Sequence, residues 1–127
     1  MVQPVDQQFF ARLAELNEKF AARLPATLDR LAELSQALEA TAAVGTAADA
    51  AFDPALPAGE LQAMLHTLAG SAATFGLRGL GHHARLLEQR LRVLRTFDAV
   101  AAADWQAWRG ELDDYIRAAR RDPKALA

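Results

Sequence analysis

The chain has 127 residues, a net charge of −2 and no cysteine. That length bounds it to one domain, the missing cysteines exclude disulfides and thiolate metal sites, and the charge argues against a nucleic-acid surface, which needs a basic stripe. No run approaches the roughly 18 apolar residues of a membrane span, and Met1 to Asp6 show no basic leader before an apolar stretch, so a cytoplasmic protein is expected.

Alanine is abundant, there are 7 glycines and 5 prolines, and β-branched residues are scarce, so helices are expected throughout. Asp6 is a candidate cap for a first helix carrying Phe9, Leu13, Leu16 and Phe20. Pro25 lacks an N–H and clashes with the preceding turn, so that helix is expected to end or kink there. Leu28, Leu31, Leu34 and Leu38 mark a second helix, with Gly45 as its stop. Residues 45–57, with Asp53-Pro54 and Pro57, read as a connection. A third helix is expected from near Pro57, which suits a first turn, to Gly76, which can take the left-handed cap conformation. After Leu77 and Arg78, the residues Leu80, Ala84, Leu87, Leu91 and Leu94 recur at spacings of 4, 3, 4 and 3, the seam of a bundle helix. Phe97-Asp98 is the expected turn. The last helix carries Trp105, Trp108, Leu112, Tyr115 and Ile116 on one face, Asp98 or Asp104 as cap, and Arg117, Arg120 and Arg121 at its negative end. Short links force antiparallel neighbours. The expected fold is all-α, a single domain over 1–127: an antiparallel up-and-down four-helix bundle from the helices after Pro25, with an additional N-terminal helix across one end.

His66 stands on the third of these helices. At about 100° per residue, Leu61, Met64, Leu65, Leu68, Ala72 and Phe75 fall within an arc of roughly 100°, and His66 points roughly 150° from its centre. Its neighbours on the outer face are Gly59, Gln62, Ala63, Ala69, Gly70 and Ala73. An exposed helix face ordinarily carries long charged side chains. This one is bare around a single imidazole, which suits a side chain that another macromolecule must reach. Gly70 follows His66 by one turn, where a larger side chain would shade the ring; a mid-helix glycine costs about 1 kcal/mol relative to alanine. Gln62, one turn before His66, is a candidate to bond one ring nitrogen. As an exposed residue, His66 should be replaceable by alanine within about 0.5 kcal/mol.

His66, Leu68, Gly70, Ser71, Phe75, Gly76, Leu80, Ala84, Leu87 and Glu88 stand in the register His-x-Leu-Lys-Gly-Ser-x-x-x-Phe-Gly, then x-x-x-Leu, then x-x-x-Ala-x-x-Leu-Glu. That register resembles the histidine-containing phosphotransfer (Hpt) domain family. One place departs from it: the lysine three residues after the histidine is Ala69 here. The resemblance implies a helical bundle that carries a phosphoryl group on His66 between receiver-domain aspartates in a multistep phosphorelay. It implies a carrier without ATP-dependent kinase activity and without a cofactor of its own, the Mg²⁺ residing on the partner. Response-regulator receiver domains are the implied partners, with a hybrid sensor kinase as a second candidate, and neither nucleic acid nor membrane is implied. Gln62, Ala69, Gly70 and Ala73 would border the docking face. Arg78 or Arg85 would stand in for the absent lysine.

Rival readings are weaker. His82 and His83 point about 100° apart on a helix and cannot easily share a metal, for which a pair four apart is usual, so no metal site is expected. No P-loop or dinucleotide fingerprint is present. The arginines around residues 78–95 also read as a solvated face with weak ion pairs, and Trp105 and Trp108 as core. The main alternative is a non-phosphorylated helical module that binds or sequesters a receiver domain.

Overall fold

The computed structural model describes residues 4–44, 55–97 and 100–126. The helices are α1 (Pro4–Val44), α2 (Ala55–Thr74), α3 (Arg78–Leu94) and α4 (Ala102–Arg121). There is no strand among the described residues. Of the connection expected over 45–57, residues 45–54 lie outside the described residues, as do the Gly45 stop and Asp98, while residues 55–57 belong to α2.

The separate N-terminal helix expected before Pro25 does not form. α1 runs through Pro25 as one helix of 41 residues, about 60 Å long at 1.5 Å per residue. Pro25 is exposed, while Leu24 and Leu28 are buried. The N–H that proline lacks would have bonded the carbonyl of Ala21, itself an exposed residue, where water can serve the acceptor. The apolar stripe outweighs the break: Leu24, Leu28, Leu31, Leu34 and Leu38 are all buried on one face. The N-terminal turns reach beyond this core, leaving Phe9 and Phe10 61% and 65% exposed.

The ends follow local chemistry. α1 begins at Pro4, so Asp6 lies in its first turn rather than before it. α2 is described from Ala55, so Pro57 lies within it. Gly76 has φ +83°, the left-handed region. There the Leu77 N–H reaches the Ala72 carbonyl at 2.8 Å and the Gly76 N–H the Ala73 carbonyl at 3.4 Å, the double closure that favours glycine at this position. Ala101, without a side-chain bond, precedes α4, so Asp104 sits in the first turn instead of capping it.

Contacts at two levels of each neighbouring pair fix the directions. α1 meets α2 through Arg30–Glu60 and Phe20–Phe75. It meets α4 through Ser35–Asp113 and Asp29–Arg120. α3 meets α4 where Trp108 Nε1–H donates to the Leu87 carbonyl at 3.0 Å and Tyr115 O–H to the Leu80 carbonyl at 2.8 Å. In each pair the two chains run in opposite directions. Leucines and alanines from all four helices fill the middle. Each leucine fully removed from water contributes roughly 1.5–3 kcal/mol.

The tightest approach is α2 against α3. A Cβ added to Gly81 would stand 2.8 Å from the Ala69 carbonyl oxygen and 3.1 Å from the Ala73 nitrogen. Only glycine lets these backbones come so near, and this crossing sets what α3 can present beside His66.

Candidate functional site

α2 carries His66 on its outward side, and the His66 side chain is 78% exposed. α3 supplies its partner. Nδ1 of His66 lies 2.9 Å from Oε1 of Glu88, whose side chain is only 8% exposed. With the ring neutral and Glu88 ionised, the carboxylate only accepts, so this contact puts the hydrogen on Nδ1 and leaves Nε2 its lone pair. No described residue takes Nε2. The other Glu88 oxygen, Oε2, is 4.0 Å from Nη1 of Arg92, one turn further along α3. The buried carboxylate is therefore bonded on one side and charge-compensated on the other, as a buried charge requires.

This geometry corrects two expectations. Gln62 does not hold the ring. Its Oε1 accepts from Nη1 of Arg95 at 2.5 Å, and the same guanidinium lies across Gly59, 3.6 Å from where a Cβ would stand. Ala69 is not on the open face: it is 7% exposed, within the core, beneath Gly81. A leucine stripe locates only the centre of a buried face. Alanine is equally at home on either side of its edge, and α3 packs over the edge that bears Ala58, Ala69 and Ala72.

The rest of the bare surface remains open. Ala63, Gly70 and Ala73 are exposed, and a Cβ at Gly70 would meet nothing within 4 Å. Thr74 Oγ1–H bonds back to the Gly70 carbonyl at 2.9 Å, which ties down the turn beside it. Arg78 and Arg85 are exposed, and neither makes an ion pair with a described residue. Arg78 stands at the start of α3, ten residues from Glu88, about 15 Å along the axis from the level of His66.

Glu88 is the residue beside His66 that the sequence understated. It matched a family position, yet its role follows only from the pairing of two helices. The legible signal was an acid adjoining the Leu80–Leu91 seam, a flank that a neighbouring helix covers. His82 and His83 stack edge to face, with ring centroids 5.8 Å apart. No group of three metal-binding side chains occurs among the described residues. No helix among them is long and apolar enough to cross a membrane.

The site is thus a lone accessible imidazole, oriented by a buried carboxylate, with open helical surface toward Gly70 and a cationic flank toward Arg92 and Arg95. No curated protein and no solved structure matches the chain. A family model of the Hpt domain does match, over residues 7–122, nearly the whole chain, and the chain belongs to the Hpt domain family.

Proposed function

We propose that this protein is the phosphoryl carrier of a multistep phosphorelay, accepting a phosphoryl group on Nε2 of His66 from one receiver-domain aspartate and passing it to another. The observation that carries the reading is the His66–Glu88 pair on a bare surface. A buried carboxylate beside Nδ1 favours the tautomer that leaves Nε2 as the free acceptor, and a Cβ at Gly70 would meet nothing within 4 Å.

The step balances as follows. The Nε2 lone pair attacks phosphorus of an aspartyl phosphate, the N–P bond forms, and the P–O bond to aspartate breaks with its electron pair leaving on the carboxylate. Positive charge develops on the ring, whose Nδ1–H points at Glu88. The carboxylate stabilises that charge through a charge-assisted hydrogen bond, and so acts where charge appears during transfer. The return step reverses each change. Mg²⁺ and the groups that neutralise the loose transition state belong to the receiver, so this chain contributes nucleophile, orientation and docking surface, and needs no cofactor or ATP site of its own. A cytoplasmic setting goes with such partners.

The test is incubation with a radiolabelled, phosphorylated receiver. Label is expected to pass to the chain as an acid-labile, base-stable adduct, absent in His66→Gln. Tight receiver binding without movement of label would contradict the carrier reading and favour a module that sequesters a receiver.

A further inference from the structure

α1 continues past the end of the bundle. Phe20 packs on Phe75, ring centroids 5.3 Å apart, beside the Gly76 turn. Phe9 stands roughly 16 Å further along the axis at 1.5 Å per residue. The rings of Phe9 and Phe10 meet edge to face, 5.5 Å apart, and both remain exposed. At about 100° per residue, Phe9, Phe10, Leu13, Ala14, Leu16 and Phe20 share an arc of roughly 160°. That is wider than the stripe a helix needs to face one core. The charged residues of the same stretch, Arg12, Glu15, Glu18 and Lys19, all fall outside it. Three of them pair with one another, Arg12–Glu15 at 3.2 Å and Lys19–Glu15 at 3.9 Å. We propose that this arc docks a second copy of the chain, the two α1 overhangs lying antiparallel about a two-fold axis.

The spacing selects that occupant and its register. Phe9, Leu13, Leu16 and Phe20 recur at 4, 3 and 4, a heptad seam. In an antiparallel pair the two kinds of seam position face each other, so Phe9 meets either Phe20 or Leu13 of the second copy. Opposite Phe20, the first turns of α1 would run into the second copy's Phe75–Leu77 turn. Opposite Leu13, they stop short of it. The contact is then reciprocal, as a two-fold interface requires: each Phe9 covers the other copy's Leu13, and the two Phe10 rings meet across the axis. Arg12 of each copy approaches its counterpart on the far flank, where its own Glu15 offsets the repulsion. His66 lies between the levels of the Arg30–Glu60 and Phe20–Phe75 contacts, so it stays open in both copies. Two or three turns per helix bury less than the about 1,200–2,000 Å² of a stable specific interface, so the pair forms weakly and depends on concentration.

The experiment is sedimentation velocity on the full chain from about 5 to 500 μM, with circular dichroism on every variant and label transfer from a phosphorylated receiver alongside. The sedimentation coefficient is expected to rise with concentration toward that of a dimer. Phe9→Glu and Phe10→Glu should each weaken association about tenfold or more while receiver affinity stays within twofold. Val93→Glu and Phe97→Glu, which alter exposed apolar residues at the other end of the bundle, should leave association unchanged. A chain that stays monomeric throughout overturns the proposal. So does association that survives both α1 substitutions or is lost in Phe97→Glu. Weakened receiver binding in Phe9→Glu of a monomeric chain would assign the arc to the receiver instead. Self-association is read without any phosphoryl group, so its failure leaves the carrier reading untouched.

Discussion

At the scale of residues, the account turns on one hydrogen bond between an exposed ring and a buried acid. An exposed side chain ordinarily contributes within about 0.5 kcal/mol, and exposure alone led to that expectation for His66. The bond to Glu88 changes the arithmetic. His66→Ala leaves a buried acceptor without its donor, a loss of about 1 kcal/mol or more, measurable by urea unfolding; His66→Gln, which keeps an amide donor, should lose less. Glu88→Gln should slow transfer to His66 about tenfold while receiver affinity stays unchanged, because an amide no longer dictates which ring nitrogen carries the hydrogen. Transfer at the original rate in Glu88→Gln would show that the ring needs no orienting acid.

At the scale of elements, two glycines with opposite roles separate packing from access. Gly81→Ala would force a Cβ against the α2 backbone at 2.8 Å; backbone cannot swing aside as a side chain can, and a loss of about 1–3 kcal/mol is expected. Gly70→Ala meets open space and should gain up to about 1 kcal/mol from helix propensity. Equal effects in a thermal melt would mean that α2 and α3 do not cross as described. The α3–α4 seam has its own signature. Burial holds the Tyr115 hydroxyl protonated well above its ordinary 10.0, so its contribution is complete below pH 10 and is lost as pH rises beyond, when the unfolded chain ionises first. Tyr115→Phe should flatten that alkaline loss while forfeiting the bond to Leu80, about 1 kcal/mol. Leucine and aromatic spacing made the helices after Pro25 legible, because those residues gain most from burial and their period marks the buried face. Pro25 misled because a local rule about proline was weighed without the stripe running from Phe20 through Leu24 and Leu28 across it. Ala69 and Gly81 were illegible for a different reason: small residues record how near a neighbour comes, and that distance belongs to a pair of helices.

At the scale of the whole molecule, neighbouring helices meet antiparallel, and this brings residue 66 level with residue 88. His66 and its bare surroundings could be read from one helix. Glu88, Arg92 and Arg95 became part of the site only when α3 was laid beside α2, so the nucleophile was legible and its electrostatic setting was not. The division matches the proposed labour: a rigid core holds ring and acid in register, while the receiver brings metal and phosphoryl group to an open face. The most direct measurement is phosphorus–nitrogen correlated NMR on the full chain, labelled with nitrogen-15, after incubation with a phosphorylated receiver. The account predicts a single phosphoramidate at Nε2 of His66, with the Nδ1 hydrogen retained toward Glu88. Phosphorus at Nδ1, on His82 or His83, or nowhere on the chain would contradict it.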